Sequence, residues 1–124
     1  MRVLAFFYGS YMDPDVLRRF GADPPAPRKG HVDGWRLAFT PHANMVHETG
    51  GRVQGVLYAL PHDELDRLYG PDGFVTTYRP VPVLAHGPDG PLPAMTFIED
   101  APEQDPEPEY VAAFRAIQQK MGVA

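Results

Sequence analysis

The chain contains no cysteine, which removes disulfides, thiolate metal ligands and thiol nucleophiles together and fits a cytoplasmic setting. Basic residues are scarce: Lys and Arg total 11 against 16 for Asp and Glu, a formal net charge of −5 with no basic cluster. Such a surface repels phosphate backbones, so nucleic acid is not an expected partner. Long apolar runs are also missing. The opening run Val3 to Phe6 is too short for a signal-peptide core, and nothing approaches the ~20 apolar residues that span a bilayer; no membrane partner is expected. Ser10 is the only serine, and Tyr8-Gly9-Ser10-Tyr11-Met12 lacks the glycine two positions after it that a nucleophile elbow needs. No Walker loop or dinucleotide fingerprint is present, so no nucleotide cofactor is implied. The five histidines (His31, His42, His47, His62, His86) are dispersed. Their close pair, His42 and His47, lacks the i, i+4 spacing of a helical zinc site, so no metal is expected.

What is present is an ordinary apolar fraction in 124 residues, enough for one compact domain spanning 1–124. Fifteen prolines and 12 glycines punctuate it into short elements. After a first strand, Val16, Leu17 and Phe20 share the face of a short helix that Gly21 can end. Residues 22–28 form a proline-rich loop. From His31 to Thr40, Trp35, Leu37 and Phe39 alternate with Arg36 and Ala38 as in a half-buried strand. Residues 41–51, with His42, Asn44, His47 and Glu48 and a Gly-Gly turn, read as an irregular segment able to fold over a site.

Arg52 to Leu60 has apolar residues on both faces and suits the centre of a sheet. Leu65, Leu68 and Tyr69 follow at helical spacing, and Gly70-Pro71 stops that helix. Residues 76–85 read as a strand whose Pro80 and Pro82 deny pairing on one side, which makes it an edge or a bulge. Gly87-Pro88-Asp89-Gly90 is a hairpin turn into a strand over 92–98. An acidic, proline-rich surface loop leads from 99 to 108. Tyr110, Phe114, Ile117 and Met121 then form the stripe of a terminal helix that Gly122 ends. Strands outnumber helices, which gives an α+β class.

Two segments carry candidate chemistry. Phe7 to Met12 follows the first strand and precedes Asp13-Pro14, an N-cap and first helical position. A strand, a glycine turn and a helix start gather backbone N–H groups where the helix dipole favours an anion, so the segment is either a carboxylate or phosphate seat or an ordinary strand-to-helix connection. Asp72, in a Gly-Pro-Asp-Gly turn before Phe74 and Val75, is either a turn-forming aspartate or a general base held against apolar surface.

Taken in order, these segments resemble the γ-glutamylcyclotransferase family with its AIG2-like relatives. The resemblance rests on Phe6-Phe7-Tyr8-Gly9-Ser10-Tyr11-Met12 after the first strand, on Gly34-Trp35-Arg36-Leu37-Ala38-Phe39, and on Val53-Gln54-Gly55-Val56-Leu57-Tyr58-Ala59-Leu60 leading through Leu65-Asp66-Arg67-Leu68 to Asp72-Gly73, with Tyr78 and Val81 beyond. It spans nearly the whole chain. It implies a small mixed β-barrel with peripheral helices and a cofactor-free acyl-transfer or lyase-type reaction on a small γ-glutamyl compound. In that reaction the α-amine closes on the γ-carbonyl, releasing 5-oxoproline and an amine or amino acid. By the same resemblance, backbone N–H groups of Tyr8, Gly9, Ser10 and Tyr11 hold the substrate's α-carboxylate, Tyr78 lies near the cavity, and Asp72 takes the place of the family's catalytic glutamate. Asp reaches about 1.5 Å less far than Glu, a displacement large enough to matter in catalysis. Tyr11 stands where the family usually has Asn, and a larger ring narrows the pocket mouth. The alternative is a binding module that keeps the carboxylate seat without the chemistry.

Overall fold

The computed structural model describes residues 1–70 and 77–123. Five strands are described: β1 (Arg2–Phe7), β2 (Arg28–Phe39), β3 (Ala43–Pro61), β4 (Arg79–Gly87) and β5 (Gly90–Ile98). They close into a barrel in the order β1-β3-β2-β4-β5. All neighbours pair antiparallel except at the closing seam, where β1 meets β5 in parallel at Ala5 and Met95. Helices α1 (Pro14–Arg19), α2 (His62–Tyr69) and α3 (Pro108–Met121) lie outside, with a single 3-10 turn at Ser10–Met12 between β1 and α1. The α+β class read from the residues and the mixed barrel implied by the resemblance are the observed fold. Among the described residues no helix is long and apolar enough to cross a membrane.

Strand β3 organises the barrel, because it pairs with β1 from Arg2–Pro61 to Phe7–Val56 and with β2 along most of its length. From Gly55 to Leu60 both of its faces are largely buried, as the sequence pattern requires of a central strand, while residues 47–50 are exposed. At Gly55 the neighbouring backbone comes so close that a Cβ would meet the Phe7 carbonyl oxygen and, at 2.7 Å, the Phe6 ring; only glycine fits. The Tyr58 hydroxyl, on the opposite face, donates to the Met12 carbonyl at 2.8 Å and ties the 3-10 turn to the sheet.

The segment 41–51 is not the irregular cover that its polar residues and glycines predict. From Ala43 it belongs to β3, with Phe39 opposite Ala43, Leu37 opposite Met45 and Trp35 opposite His47. Only residues 40–42 form the hairpin tip, with Thr40 N–H donating to the His42 carbonyl at 2.9 Å. The glycines shift the register instead of turning the chain: Gly34 and Gly50 adopt φ of 87° and 81° on either side of the irregularity between Asp33 and Trp35. Pairing with β2 decides the matter: Ala43, Asn44 and Met45 are inside, and residues 47–50 are exposed yet still on the strand.

The outer elements follow their local signals. Asp13 caps α1, accepting the Asp15 N–H at 2.9 Å, with Pro14 as the first helical residue. Lys120 of α3 reaches both Asp13 (2.8 Å) and Asp15 (2.7 Å), which fixes the terminal helix against α1. Phe114 is the buried centre of the α3 stripe, edge-on to Phe39 at 5.6 Å. Gly122, at φ 69°, ends α3 in the left-handed cap that its sequence position suggests. Strand β4 pairs with β5 throughout but touches β2 only at His31–His86 and Val32–Ala85, beyond the two prolines. Pro80 and Pro82 thus occupy a stretch with one partner strand, the edge behaviour read from their spacing.

Candidate functional site

The loop after β1 opens one wall of a cavity of about 40 Å³, room for a few water-sized groups. Phe7, Tyr8, Gly9, Ser10 and Tyr11 line it from this loop; His42 and Ala43 from the β2–β3 hairpin; Tyr69 from the end of α2; Tyr78 from just before β4; and Tyr110 from the first turn of α3. Of the residues singled out in the sequence, Tyr8, Gly9, Ser10, Tyr11 and Tyr78 therefore meet at one place. Asp72 lies outside the described residues. No carboxylate lines the cavity among the described residues.

Within the loop, the 3-10 turn closes through Met12 N–H to the Gly9 carbonyl (3.0 Å) and Asp13 N–H to the Ser10 carbonyl (3.2 Å). These bonds use carbonyls and leave the direction of the preceding N–H groups set by a rigid turn rather than by a flexible loop. The tyrosine hydroxyls are mostly committed to the fold. Tyr8 donates to the Phe97 carbonyl at 2.6 Å, Tyr11 to the Leu68 carbonyl at 2.5 Å and Tyr78 to the Ala43 carbonyl at 2.5 Å. Tyr110 accepts the Ala43 N–H at 2.7 Å. Tyr78 sits before its strand, not on it, and its hydroxyl proton is given to backbone, which leaves the oxygen as an acceptor.

The polar side chains of the wall are mainly phenols, with the His42 imidazole beside them. Burial pushes the Tyr8 and Tyr69 hydroxyls well above the usual tyrosine range, and neighbouring tyrosines push them further. Burial does the same to Tyr78, helped by the Glu99 carboxylate. Tyr69 stacks on Phe97 at 3.8 Å and meets Tyr11 edge-on at 5.3 Å, so its ring forms the apolar floor. Glu99 stands directly after β5, held by paired bonds with Asn44: Asn44 Nδ2 donates to the Glu99 carbonyl (2.8 Å) and Glu99 N–H to Asn44 Oδ1 (3.1 Å). Its carboxylate approaches the Tyr78 hydroxyl. Glu48, by contrast, is half exposed and faces Arg36 at 3.6 Å.

Sequence reading missed Ala43, Tyr69 and Tyr110 as lining residues and placed Glu99 only at the start of a surface loop. Tyr69 and Tyr110 carry the signal of helix stripes, which is the signal of core, and they do double duty because the stripe ends at the cavity wall. Ala43 has no local signal at all.

A family model described as Gamma-glutamyl cyclotransferase, AIG2-like, matches residues 5–113. Among solved structures the chain is similar to a gamma-glutamyl cyclotransferase, at TM-score 0.76 and 17% identity over 98% of this chain and 81% of that one. It is also similar to YkqA from Bacillus subtilis (TM-score 0.73, 24% identity, 96% of this chain, 49% of that one) and to an AIG2-like protein from Mus musculus (0.63, 15%, 89% and 82%). At these identities the structural likeness speaks for the fold. No curated protein sequence matches the chain. With the family model covering most of its length, the chain belongs to the AIG2-like gamma-glutamyl cyclotransferase family.

Proposed function

We propose that this protein cyclises the γ-glutamyl group of a small compound to 5-oxoproline, releasing an amine or amino acid. The observation that carries the reading is the meeting of the Tyr8–Tyr11 loop and Tyr78 around one small cavity in a fold of this family. In the proposed reaction the α-amine nitrogen attacks the γ-carbonyl carbon, the new C–N bond closes a five-membered ring, and the γ-amide C–N bond breaks. Backbone N–H groups of residues 8–11 hold the α-carboxylate, so that the amine is aimed at the carbonyl; orientation of this kind is worth several powers of ten in an intramolecular attack. A tyrosine-lined wall keeps water out, and the Tyr78 oxygen accepts from the ammonium. A carboxylate takes the ammonium proton and returns it to the leaving nitrogen. Asp72 is the assigned carrier, and Glu99, beside Tyr78, is the described carboxylate best placed to share the role.

The test is to incubate the protein with a panel of γ-glutamyl amino acids and amines and to follow 5-oxoproline by mass spectrometry in wild type, Asp72→Asn, Asp72→Glu and Glu99→Gln. Loss of turnover in Asp72→Asn supports the assignment. Equal trace release from wild type and Asp72→Asn, with a gain in Asp72→Glu, removes Asp72 from it.

A second reading is a non-catalytic carboxylate-binding module, favoured by the lack of any carboxylate among the described lining residues. A ligand that binds the folded state raises the melting temperature. Stabilisation by glutamate or 5-oxoproline without turnover of any panel member selects the module, and no response in either assay defeats both readings.

A further inference from the structure

At the far end of β2 from the cavity, a second group of side chains converges that the cyclotransferase reading does not use. His31 of β2 lies directly opposite His86 of β4, and Asp33 follows two positions along β2, which puts it on the same face. The two imidazoles stack at 4.9 Å with their planes 12° apart. Both Nε2 atoms face the same carboxylate oxygen, Asp33 Oδ2, at 3.9 Å from His31 and 3.8 Å from His86. The donor atoms of all three residues lie within 4.8 Å of one another. The other Asp33 oxygen, Oδ1, accepts from Arg52 Nε at 2.8 Å. Arg52 therefore fixes the carboxylate and turns Oδ2 toward the histidines.

We propose that His31, Asp33 and His86 form a binding site for a divalent transition-metal ion of the zinc type, clipping β2 to β4. Two imidazoles and one carboxylate are a donor set that Zn²⁺ favours, and donor atoms that lie within 4.8 Å of one another reach the roughly 3.4 Å spacing of a tetrahedral ion with bonds of about 2.0–2.2 Å when rotation of these part-exposed side chains draws them in by up to about 1.5 Å. Three protein ligands leave the fourth position to water. Arg52 supplies the outer hydrogen bond that orients a ligating carboxylate. The position gives the ion a structural task. Among the antiparallel neighbours, β2 and β4 share only two register pairs, and His31–His86 is one of them, so an ion there reinforces the shortest antiparallel seam of the barrel. All three side chains keep at least a quarter of their surface open to solvent, which gives the ion a path in.

The experiment is calorimetric titration of the metal-stripped full chain with ZnCl₂, paired with thermal melts. The proposal requires one saturable equivalent and a melting temperature raised by roughly 8–14 °C at a hundredfold excess over the dissociation constant. Binding should weaken by roughly a hundredfold or vanish in His31→Ala and in His86→Ala, fall at least about tenfold in Asp33→Asn, and persist in His62→Ala. Co²⁺ in place of Zn²⁺ should give a visible absorption that is lost in the same variants. Absence of saturable binding to the wild-type chain, or binding undiminished in both His31→Ala and His86→Ala, overturns it. None of these residues lines the cavity, so the result stands apart from the outcome of the 5-oxoproline assay.

Discussion

Replacing Tyr11 with Asn, the residue that the family resemblance leads one to expect at that loop position, should damage this protein rather than leave it neutral. Tyr11 is 5% exposed, so the ring expected at the pocket mouth is largely a core residue. It packs edge-on against Phe7 and Phe20, each at 5.8 Å, and against Tyr69 at 5.3 Å. Its hydroxyl satisfies the Leu68 carbonyl at the end of α2. Removing a ring that buries some 150–200 Å² forfeits about 4 kcal/mol at 25 cal/mol per Å², in line with the roughly 3–5 kcal/mol measured for large aromatic deletions. Tyr11→Phe keeps the ring and loses the bond to Leu68, at a cost of about 1–2 kcal/mol. For a chain of this size each kcal/mol moves the melting temperature by roughly 3–5 °C. Circular-dichroism melts should therefore show a fall of roughly 12–20 °C for Tyr11→Asn and roughly 3–10 °C for Tyr11→Phe. A Tyr11→Asn melt within about 3 °C of wild type would refute the packing argument. Equal losses in the two variants would instead assign the whole effect to the hydroxyl.

Gly55→Ala pushes a methyl into the Phe7 carbonyl and the Phe6 ring; it should cost at least about 2 kcal/mol by chemical denaturation, and a loss under 0.5 kcal/mol would mean that β1 and β3 can separate freely. Asp15, Asp33, Asp100 and Glu103 are held below the usual carboxylate range, first by hydrogen bonds from Lys120, Arg52, Arg79 and Arg36 respectively. A lowered folded-state pKa contributes stability that is complete above the ordinary values of 3.8 and 4.5 and is lost as pH falls through the lower, folded ones. Melting temperature should therefore decline as pH drops from about 5 toward 2, and Lys120→Met should flatten that decline by removing the stronger partner of Asp15 and leaving it the ion pair with Arg18; an unchanged slope would show that Lys120 adds nothing.

Legibility in the sequence followed the range of each interaction. The Asp13-Pro14 start of α1, the Gly87–Gly90 hairpin and the Gly122 stop are set by residues within a turn of one another, and each was readable from its own neighbourhood. Residues 43–51 were misread because His47, Glu48 and the two glycines carry the composition of a loop, while their conformation is set by pairing with β2 and by Trp35, whose indole stacks on His47 at 3.8 Å. The far wall of the cavity was hidden for a related reason. Ala43, Tyr69 and Tyr110 reach it only after the hairpin, α2 and α3 have docked, and no spacing along the chain encodes that docking. The histidine pair shows the same limit: His31 and His86 are 55 positions apart and become neighbours only through the β2–β4 seam.

That division between local and distant signals bears on the chemistry. The glycine turn after β1 is local, so it can be read from a short motif, but the phenols around the cavity spend three hydroxyl protons on the carbonyls of Phe97, Leu68 and Ala43. A tyrosine whose proton is bound to backbone, and whose pKa burial has raised, is a poor proton carrier near neutral pH. The tyrosine wall therefore suits the exclusion of water and the shaping of a small substrate. Under the cyclotransferase reading, proton transfer falls to a carboxylate brought in from another segment, which is why the Asp72 and Glu99 variants test that reading more sharply than any substitution among the rings.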